Sequence, residues 1–303
     1  MSDRVRVDEV LASLLNLCTP LEPFDMPLLD AHGATLAEDI YAGERLVMKA
    51  GSRIRSTQIG LAASIGLDHL PTRPHPRVVV ISAGPDLVEP GLDLTGDEEY
   101  ETNSWLLTTA VRETGAVAYR VHSIPENEDE LKDAIEDQLV RADLVIISGE
   151  RHDDSFDLIT RTLRQLGDIT EVEIAIDSSG RHNFGTIGPD KVPVVTLPGD
   201  PIAAYISFEL LVRPMIRTML GAATIHRPSV KARLEKGLSS ISGVRSYIRG
   251  VLSEDGKSVT PLGSQDEQAT LSDANAFIAV PEGDADVAAG AEVTVVVLER
   301  RYI

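Results

Sequence analysis

Carboxylates follow one strand-like segment of the sequence at a density that could hold a metal ion or transfer protons. The segment DLVIISG, residues 143–149, is closely followed by Glu150, His152, Asp153, Asp154 and Asp157. Carboxylate oxygens suit Mg²⁺, but these side chains have neither the HExxH pattern nor a fixed helical spacing. A solvated acidic loop is therefore the favoured interpretation. Asp157 differs, because it precedes an apolar helical run and could either cap that helix or present a carboxylate to a ligand.

Two glycine turns end strand-like runs and could bind an anion. SAGPDL at 82–87 follows RVVVI, and LPGDP at 197–201 follows PVVT. In LPGDP, Asp200 is positioned to cap a helix that begins at Pro201. One interpretation is a helix N-terminus that offers backbone N–H groups to an anion. The other is a capped core helix, since an ionised Asp200 already occupies the positive end of the helix dipole.

Further carboxylates lie between these turns. Residues 86–101 contain seven acidic residues and no basic one. Such a run is typical of a solvated face, although carboxylates could hold Mg²⁺ there as well. Asn103 directly precedes a helical run and is interpreted as its N-cap. SAGPDL itself is interpreted as the turn by which a strand ends.

The composition argues against several function classes. The 303-residue chain has a formal net charge of −20, which disfavours nucleic acid and anionic membrane surfaces as partners. Cys18 is the only cysteine, so neither an intrachain disulfide nor a cysteine-based zinc site can form. The sequence shows no signal-peptide pattern and no apolar run of the ~20 residues that span a bilayer. We therefore expect a cytoplasmic protein without direct membrane insertion.

Three regions follow one another along the chain. Residues 1–75 combine amphipathic helices with extended chain and glycine turns. Residues 76–222 alternate short apolar strands with helical runs, which is the pattern of a parallel sheet covered on both faces. Residues 223–303 consist of short alternating runs broken by Gly, Pro and Asp-Gly, which predicts a small all-β domain. The predicted fold class is therefore multidomain, α/β plus β.

Eight motifs in order resemble the MoeA family of molybdopterin molybdenumtransferases, which includes the E domain of gephyrin. They are LAEDI (36–40), PRVVVISAGPDLVEPG (76–91), Asn103, DLVIISG (143–149), FDLI (156–159), FGTIG (184–188), LPGDPIAAYISFELLVRP (197–214) and DANAFIAVPEG (273–283). The resemblance spans nearly the whole chain. It implies a MogA-like, open and mostly parallel α/β sheet domain, an N-terminal α/extended domain and a small C-terminal β domain. It also implies a homodimer.

For the site, the resemblance implies a cofactor-binding edge and a catalytic centre. Asp157 matches the acidic residue of the family's DYD element and would be both a catalytic residue and the Mg²⁺ ligand. Arg181 would replace a lysine of the family's PGKP segment. The cofactor-binding residues would be Ser82, Gly84, Asn103, Ser148, Gly149, Pro198, Gly199 and Asp200. The family reaction inserts molybdate into adenylylated molybdopterin.

The sequence also departs from the family pattern. A domain that family members insert after LAEDI is missing near 42–44, where Ala42-Gly43 runs directly into GERLVMKAGSRI. The family's GGVSVGDYD loop reads SGERHDDSFD, LPGNP reads LPGDP, and QGSG reads GSQDEQ. Molybdopterin and molybdate are anions, and two like charges ~4 Å apart repel by about 4 kcal/mol at a surface-like dielectric. The added acids therefore weaken the enzyme interpretation.

These departures favour a gephyrin-like scaffold that has lost catalysis, needs no cofactor and binds a short segment of a partner protein. The expected docking residues are Tyr247, Phe277 and Pro281, and the acidic surface predicts a partner segment with basic flanks. Such a partner could recruit the protein to a membrane. The alternative is an active, Mg²⁺-dependent molybdopterin molybdenumtransferase that acts on molybdopterin and molybdate. A third hypothesis is a molybdopterin carrier without turnover.

Overall fold

The computed structural model describes residues 4–84, 86–96, 98–123, 127–149, 153–177, 180–263, 267–283 and 286–299. The α-helices are α1 Val7–Leu15, α2 Ser56–Ser64, α3 Asn103–Thr114, α4 Glu128–Leu139, α5 Asp153–Leu166, α6 Pro201–Ser207, α7 Arg213–Met219 and α8 Glu267–Asp273. A π-helix, Phe208–Val212, joins α6 to α7. Within the described ranges, no helix is both long enough and apolar enough to cross a membrane.

The strands are short and fall into several sheets. They are β1 Phe24–Pro27, β2 Thr35–Leu36, β3 Ile40–Ala42, β4 Arg45–Met48, β5 His69–Arg73, β6 Arg77–Ala83, β7 Leu87–Val88, β8 Glu99–Tyr100, β9 Val117–Ser123, β10 Leu144–Ser148, β11 Gly167–Glu173, β12 Arg181–Ile187, β13 Val192–Leu197, β14 Ser229–Leu234, β15 Leu238–Ser239, β16 Ser246–Leu252, β17 Ser258–Pro261, β18 Ala276–Val280, β19 Asp286–Val287 and β20 Glu292–Val297.

A six-stranded sheet forms the centre of the molecule, in the order β11-β12-β13-β10-β6-β9. Strands β13, β10, β6 and β9 are parallel, whereas β11 and β12 pair antiparallel at one edge. The whole of β10 is buried, because helices cover both faces of the sheet. The prediction of an open, mostly parallel sheet is confirmed.

Two hydrophobic clusters fill the two faces of this sheet. Val78 and Val80 of β6 point into one cluster, which contains α3, α6 and α7. Val79 and Ile81 point into the other, which contains α4 and α5. The alternation follows from the period of two in a β-strand. Helix α1 packs into the first cluster, so this N-terminal helix covers a face of the central sheet.

The N-terminal region forms a separate three-stranded sheet, β1-β5-β2, with α2 packed against it. Strands β3 and β4 form a hairpin that pairs Ala42 with Arg45. Gly43 in its turn has φ 63°, a left-handed conformation that glycine adopts without steric cost. The chain therefore turns back at the position where the family's inserted domain was predicted to be missing, and no domain lies between β3 and β4.

The C-terminal region forms a closed barrel, β14-β17-β16-β18-β20, around a core that includes Leu234, Val259 and Ile278. Helix α8 lies between β17 and β18 along the chain. This helix was not predicted, because the polar segment GSQDEQ, which contains its first two residues, was interpreted only as a departure from a glycine-rich stretch. The barrel itself agrees with the predicted β domain.

A buried ion pair joins the sheet domain to the barrel. Glu209, in the π-helix, is 4% exposed and accepts hydrogen bonds of 2.7 Å from both Nε and Nη2 of Arg227. Nη1 of Arg227 donates to the Leu298 carbonyl at 2.8 Å. Removing one partner would leave a buried charge uncompensated, so this contact resists separation of the two parts.

His182 is a titratable group buried within the described core. Its Nε2 lies 3.1 Å from the Ser207 hydroxyl and its Nδ1 lies 3.3 Å from the Gly180 carbonyl oxygen, and the residue is 1% exposed. Burial lowers the pKa of His182 to about 4, because the charged imidazolium would lose its hydration. The unfolded chain therefore takes up a proton at this residue before the folded chain does, and acid destabilises the fold.

We expect the contribution of His182 to stability to be complete above about pH 6.5 and to be lost as the pH falls from 6.5 towards 4. Between pH 7 and pH 4.5 this should lower the free energy of unfolding by about 2 to 3 kcal/mol. Urea titrations at both pH values would measure it. His182→Leu should remove this part of the pH dependence, and His32→Leu, at an exposed position, should retain it. Equal pH dependence in wild type and H182L would contradict the assignment.

Candidate functional site

The carboxyl ends of three neighbouring parallel strands form one edge of the central sheet. Ser82, at the end of β6, lies beside Ser148 of β10, and Ser148 lies beside Leu197 of β13. The loops that leave this edge begin with Gly84, Gly149 and Pro198. Open α/β sheets bind their ligands at such an edge. The structure therefore brings together predicted residues from three separate motifs.

Asn103 ties these loops together. Its Nδ2 donates to the Ser148 hydroxyl at 2.8 Å and to the Gly199 carbonyl at 2.8 Å, and it lies 3.4 Å from the Pro198 carbonyl. Asn103 is the first residue of α3, and the N-cap position belongs to Thr102, which makes no side-chain cap. The interpretation of Asn103 as an N-cap is therefore wrong: its amide bridges α3, β10 and the loop before α6.

Two buried polar atoms at this edge have no hydrogen-bond partner among the described residues. They are Oδ1 of Asn103 and Oγ of Ser82, in residues that are 5% and 0% exposed. Buried polar groups are nearly always paired with protein, water or ligand. A carbonyl acceptor and a hydroxyl donor thus remain unsatisfied at the edge where ligands bind, which marks these two residues as candidate ligand contacts.

Gly149 allows α5 to approach the edge closely. A Cβ at this position would lie 2.9 Å from Ser155 Oγ and 3.0 Å from the Ile159 side chain. Ser155 in turn lies 3.4 Å from the Ala83 carbonyl at the end of β6. Gly149 is therefore a packing position, which lets the first turn of α5 contact two strand ends. Its role in cofactor binding stays a prediction.

Asp200 caps α6 with its carboxylate. Oδ1 accepts from the backbone N–H groups of Ile202 at 3.0 Å and Ala203 at 2.9 Å. These are the amides that a bound anion would need. Of the two interpretations of LPGDP, the structure has the capped helix, and the anion-binding use of this N-terminus is corrected, because Asp200 already occupies it.

Asp157 forms an ion pair with Arg181, at 2.9 Å between Oδ1 and Nη1. The same guanidinium donates to Oε1 of Glu171 from Nη2 at 2.7 Å and from Nε at 2.9 Å. Its Cζ lies 4.4 Å from the centre of the Phe156 ring, a cation–π distance. The two predicted catalytic residues are thus brought together, as an ion pair on the rim of the sheet domain.

The contact with Arg181 competes with Mg²⁺ for Asp157. A Mg²⁺ ligand needs a carboxylate that is open to the metal and its waters, whereas Oδ1 of this half-exposed carboxylate is already engaged by Arg181. In the part of the chain that the structure describes, no three His, Cys, Asp or Glu residues cluster as a metal site would require. Glu150 and His152, and the side chains of Asp153 and Asp154, lie outside that description.

Sequence reasoning missed a buried network on the other side of Asn103. Glu101, 1% exposed, accepts from the backbone N–H of Ser104 at 2.7 Å and from its hydroxyl. Arg120 donates to Ser104 Oγ at 2.9 Å, pairs with Glu89, and covers the Trp105 ring at 4.1 Å. Glu101 was assigned to a solvated acidic face, which is wrong. A carboxylate directly before a helix start, where backbone N–H groups lack intrahelical partners, was the available signal.

The three predicted docking residues lie in different environments. Phe277 is fully buried, with its ring 6.1 Å from and edge-on to the ring of Tyr205. It cannot contact a docked peptide, and this part of the prediction is corrected: Phe277 packs the barrel against α6. Tyr247 and the exposed Pro281 line a groove of about 370 Å³ beside α1, together with Arg245, which pairs with Asp8 at 3.1 Å.

Comparison with known proteins agrees with the order of these parts. Residues 79–218 match the probable molybdopterin binding domain, and residues 231–298 match the MoeA C-terminal region, domain IV. Molybdopterin molybdenumtransferase 1 of Mycobacterium tuberculosis is 33% identical over 270 residues, covering 86% of this chain and 63% of that protein. The Haemophilus influenzae molybdopterin molybdenumtransferase is 26% identical over 277 residues, covering 89% of this chain and 68% of that protein.

A solved structure shows the same fold. The crystal structure of the molybdopterin biosynthesis MoeA protein from Pyrococcus horikosii matches with a TM-score of 0.83 at 21% identity, covering 98% of this chain and 100% of that chain. The chain belongs to the MoeA family. It spans 63% and 65% of the length of molybdopterin molybdenumtransferases 1 and 2 of M. tuberculosis. Nothing in these comparisons supports the scaffold hypothesis.

The hydrogen bonds at the edge predict a graded set of stability effects. Asn103→Ala should lower the free energy of unfolding by about 2 kcal/mol, because the Ser148 hydroxyl and the Gly199 carbonyl lose a buried donor. Ser148→Ala should cost about 1 kcal/mol. Ser82→Ala should change stability by less than about 0.5 kcal/mol, since its hydroxyl has no partner among the described residues. Urea titrations test the order, and an S82A cost equal to that of N103A would contradict it.

Removing Arg181 should create a cation site. In Arg181→Ser, the carboxylates of Asp157 and Glu171 lose the guanidinium that they share, and two adjacent carboxylates attract a divalent ion. We expect electron paramagnetic resonance to detect Mn²⁺ bound by R181S with a Kd at least tenfold lower than for wild type. The added Asp157→Asn change should remove this gain. Wild-type Mn²⁺ binding that D157N abolishes would show that Arg181 does not block the site.

Proposed function

We propose that this chain binds molybdopterin at the carboxyl edge of its central sheet and acts as a molybdopterin molybdenumtransferase. Relatives of that name match most of the chain at 33% and 32% identity, which supports this reaction class. The observation that carries the proposal is the set of hydrogen bonds from Asn103, because it gathers the strand-end loops into one polar edge. Ser82, Ser148 and Asn103 would orient the ligand there.

The two unsatisfied atoms suit the ring system of a pterin. A pterin presents N–H donors and a carbonyl acceptor along one edge, and the protein offers the Asn103 carbonyl and the Ser82 hydroxyl. Unsatisfied buried groups favour a ligand that pairs with them and reject one that does not. Both atoms are buried, so binding would require the loops at this edge to open.

The charges near the edge oppose an anion less than the composition predicts. The Asp157 carboxylate is paired with Arg181, and the Asp200 carboxylate is engaged by two helix amides. Glu101 lies 4.0 Å from Arg120 and accepts two hydrogen bonds from Ser104. Because a local counter-charge or donor screens each of these three carboxylates, their repulsion of a phosphate falls well below that of bare charges. The side chains of Glu150, Asp153 and Asp154 lie outside the described residues.

Arg181 is the described cation best suited to meet an oxyanion at this rim. A guanidinium has five N–H donors, and the contacts to Asp157 and Glu171 use three of them. Its side chain is 38% exposed, so the remaining donors can reach solvent or ligand. Arg181 would thus hold molybdate or a phosphate group while it keeps Asp157 neutralised. No step of the proposal uses a metal bound at Asp157.

The other hypotheses make different predictions for the same assays. A carrier binds molybdopterin without turnover, and a scaffold binds neither molybdopterin nor molybdate. The groove beside Tyr247 and Pro281 is the surface on which the scaffold hypothesis depends.

The test measures molybdopterin binding and molybdate insertion on the chain by itself. Trp105, the only tryptophan, lies two residues after Asn103, so its fluorescence should report binding. Asn103→Asp keeps the side-chain size but replaces the donor by a carboxylate, and should weaken binding at least tenfold. Arg181→Ser should lower insertion at least tenfold. Asp133→Asn, on the exposed face of α4, is the matched control and should behave as wild type.

The controls decide among the hypotheses. The M. tuberculosis relative, assayed in parallel, must be active. If this chain then binds no molybdopterin, the proposal is wrong. If it binds molybdopterin without insertion, the transferase assignment fails and the carrier hypothesis stands.

A further inference from the structure

A second cavity lies beside the sheet edge, between α3, α6 and α8. It encloses about 620 Å³, within the range of small-molecule sites. Thr102 and Pro201 line it, and these residues directly adjoin Asn103 and Asp200. Leu298, which follows the barrel strand β20, also lines it. This interdomain cavity therefore has walls from both the sheet domain and the barrel, and two of its lining residues adjoin residues of the candidate site.

About half of its wall is apolar. The apolar lining residues are Leu106, Ala110, Pro201, Leu271, Ala274 and Leu298, and Tyr205 also lines the cavity. Tyr205 is largely buried, and burial raises the pKa of its hydroxyl. The apolar part of the wall can hold a ligand by removing its hydrocarbon surface from water.

The charged groups on the wall determine whether the cavity favours a positively or a negatively charged ligand. Arg227 is the one cation among the described lining residues, and its guanidinium is engaged by buried Glu209 and by the Leu298 carbonyl. Glu113 and Glu299 are exposed lining residues, and neither forms an ion pair with another described residue. Glu113 acts electrostatically on both Tyr205 and Arg227, so its carboxylate contributes to the potential in the cavity.

We propose that the interdomain cavity binds a small organic cation with an apolar body. The apolar body would fill the chamber between α3 and α8, and the ammonium group would lie near Glu113 and Glu299. Glu209 pairs with Arg227 and also lies 3.7 Å from Arg213, so the carboxylates of Glu113 and Glu299 supply the negative charge that would attract a cation and oppose an anion. The cavity would thus bind a cation, whereas the molybdopterin proposed for the sheet edge is an anion. The cation site does not depend on the proposal for the sheet edge.

The test uses dansylcadaverine, a fluorescent apolar amine whose emission rises when it leaves water. Dansylamide, which lacks the ammonium group, and the anion 1-anilinonaphthalene-8-sulfonate are the matched probes. We expect saturable binding of dansylcadaverine to wild-type protein, with a Kd at least tenfold below that of either control probe. Because the attraction is electrostatic at the rim, raising the salt from 50 mM to 500 mM should weaken binding several-fold.

Variants locate the binding at this cavity. Glu113→Gln with Glu299→Gln should weaken dansylcadaverine binding at least tenfold and leave dansylamide binding unchanged. Thr109→Trp, at an exposed lining position, should block both probes. Asp133→Asn removes one acidic charge from exposed α4, away from the cavity, and should leave both affinities within twofold of wild type.

Several results would overturn the assignment. Equal affinity for dansylcadaverine and dansylamide would mean that no carboxylate contributes. Full binding by T109W, or an equal loss in D133N and in the rim variants, would mean that the probe binds the acidic surface at large. Absence of saturable binding at millimolar probe would mean that the cavity takes no such cation. Thermal unfolding of each variant without probe confirms that the fold is intact.

Discussion

One side-chain amide determines the geometry of the ligand edge. Asn103 Nδ2 donates to Ser148, the last residue of β10, and to Gly199, before α6, and so ties α3 to two loops at the edge of the sheet. The bridge works because Ser82, Ser148 and Leu197 lie side by side near the ends of their strands. A shift of one residue in β10 would turn Ser148 to the opposite face of the sheet and remove the acceptor. The strand register and the amide therefore depend on each other.

Local compensation of charge is the second constraint. A net charge of −20 describes the chain as a whole, yet three described carboxylates near the edge have nearby partners. Arg181 pairs with Asp157, the first amides of α6 engage Asp200, and Ser104 and Arg120 surround Glu101. Potential at a site depends mostly on charges within about 10 Å, because solvent and ions screen the rest. These three carboxylates therefore repel an anion less than the composition predicts, and the side chains of Glu150, Asp153 and Asp154 lie outside the described residues.

The fold could be predicted from the sequence because its signals are local. In the sequence, buried parallel strands are short apolar runs. The capped helix is specified by LPGDP, whose residues are neighbours in the chain. The site could be predicted only in part. The order of the motifs identified Asn103 and Ser148, but the role of Asn103 depends on Gly199, 96 residues away. The exposure of Glu101 and Phe277 was predicted wrongly for the same reason. The sequence around each residue, an acidic run or a strand, does not show which distant residues bury it. Helix α8 was missed because its short polar sequence lacks an apolar period.

The sheet edge and the interdomain cavity are bounded by neighbouring residues, so binding at one site can affect binding at the other. Thr102 and Asn103 are consecutive, as are Asp200 and Pro201, and in each pair one residue faces the sheet edge and the other faces the interdomain cavity. Glu113 lies ten residues after Asn103 on α3, roughly 15 Å along the helix, so solvent and ions screen its charge from the edge. Any effect of one ligand on the other would act through the shared N-terminal turns of α3 and α6, and linkage requires that such an effect be reciprocal. The Glu209–Arg227 pair fixes the barrel wall of the cavity, so this coupling also needs the two domains to stay docked. A ligand that contacts both domains stabilises their docking by its own binding free energy. The sheet domain would then be held more rigidly against the barrel while the edge binds its substrate.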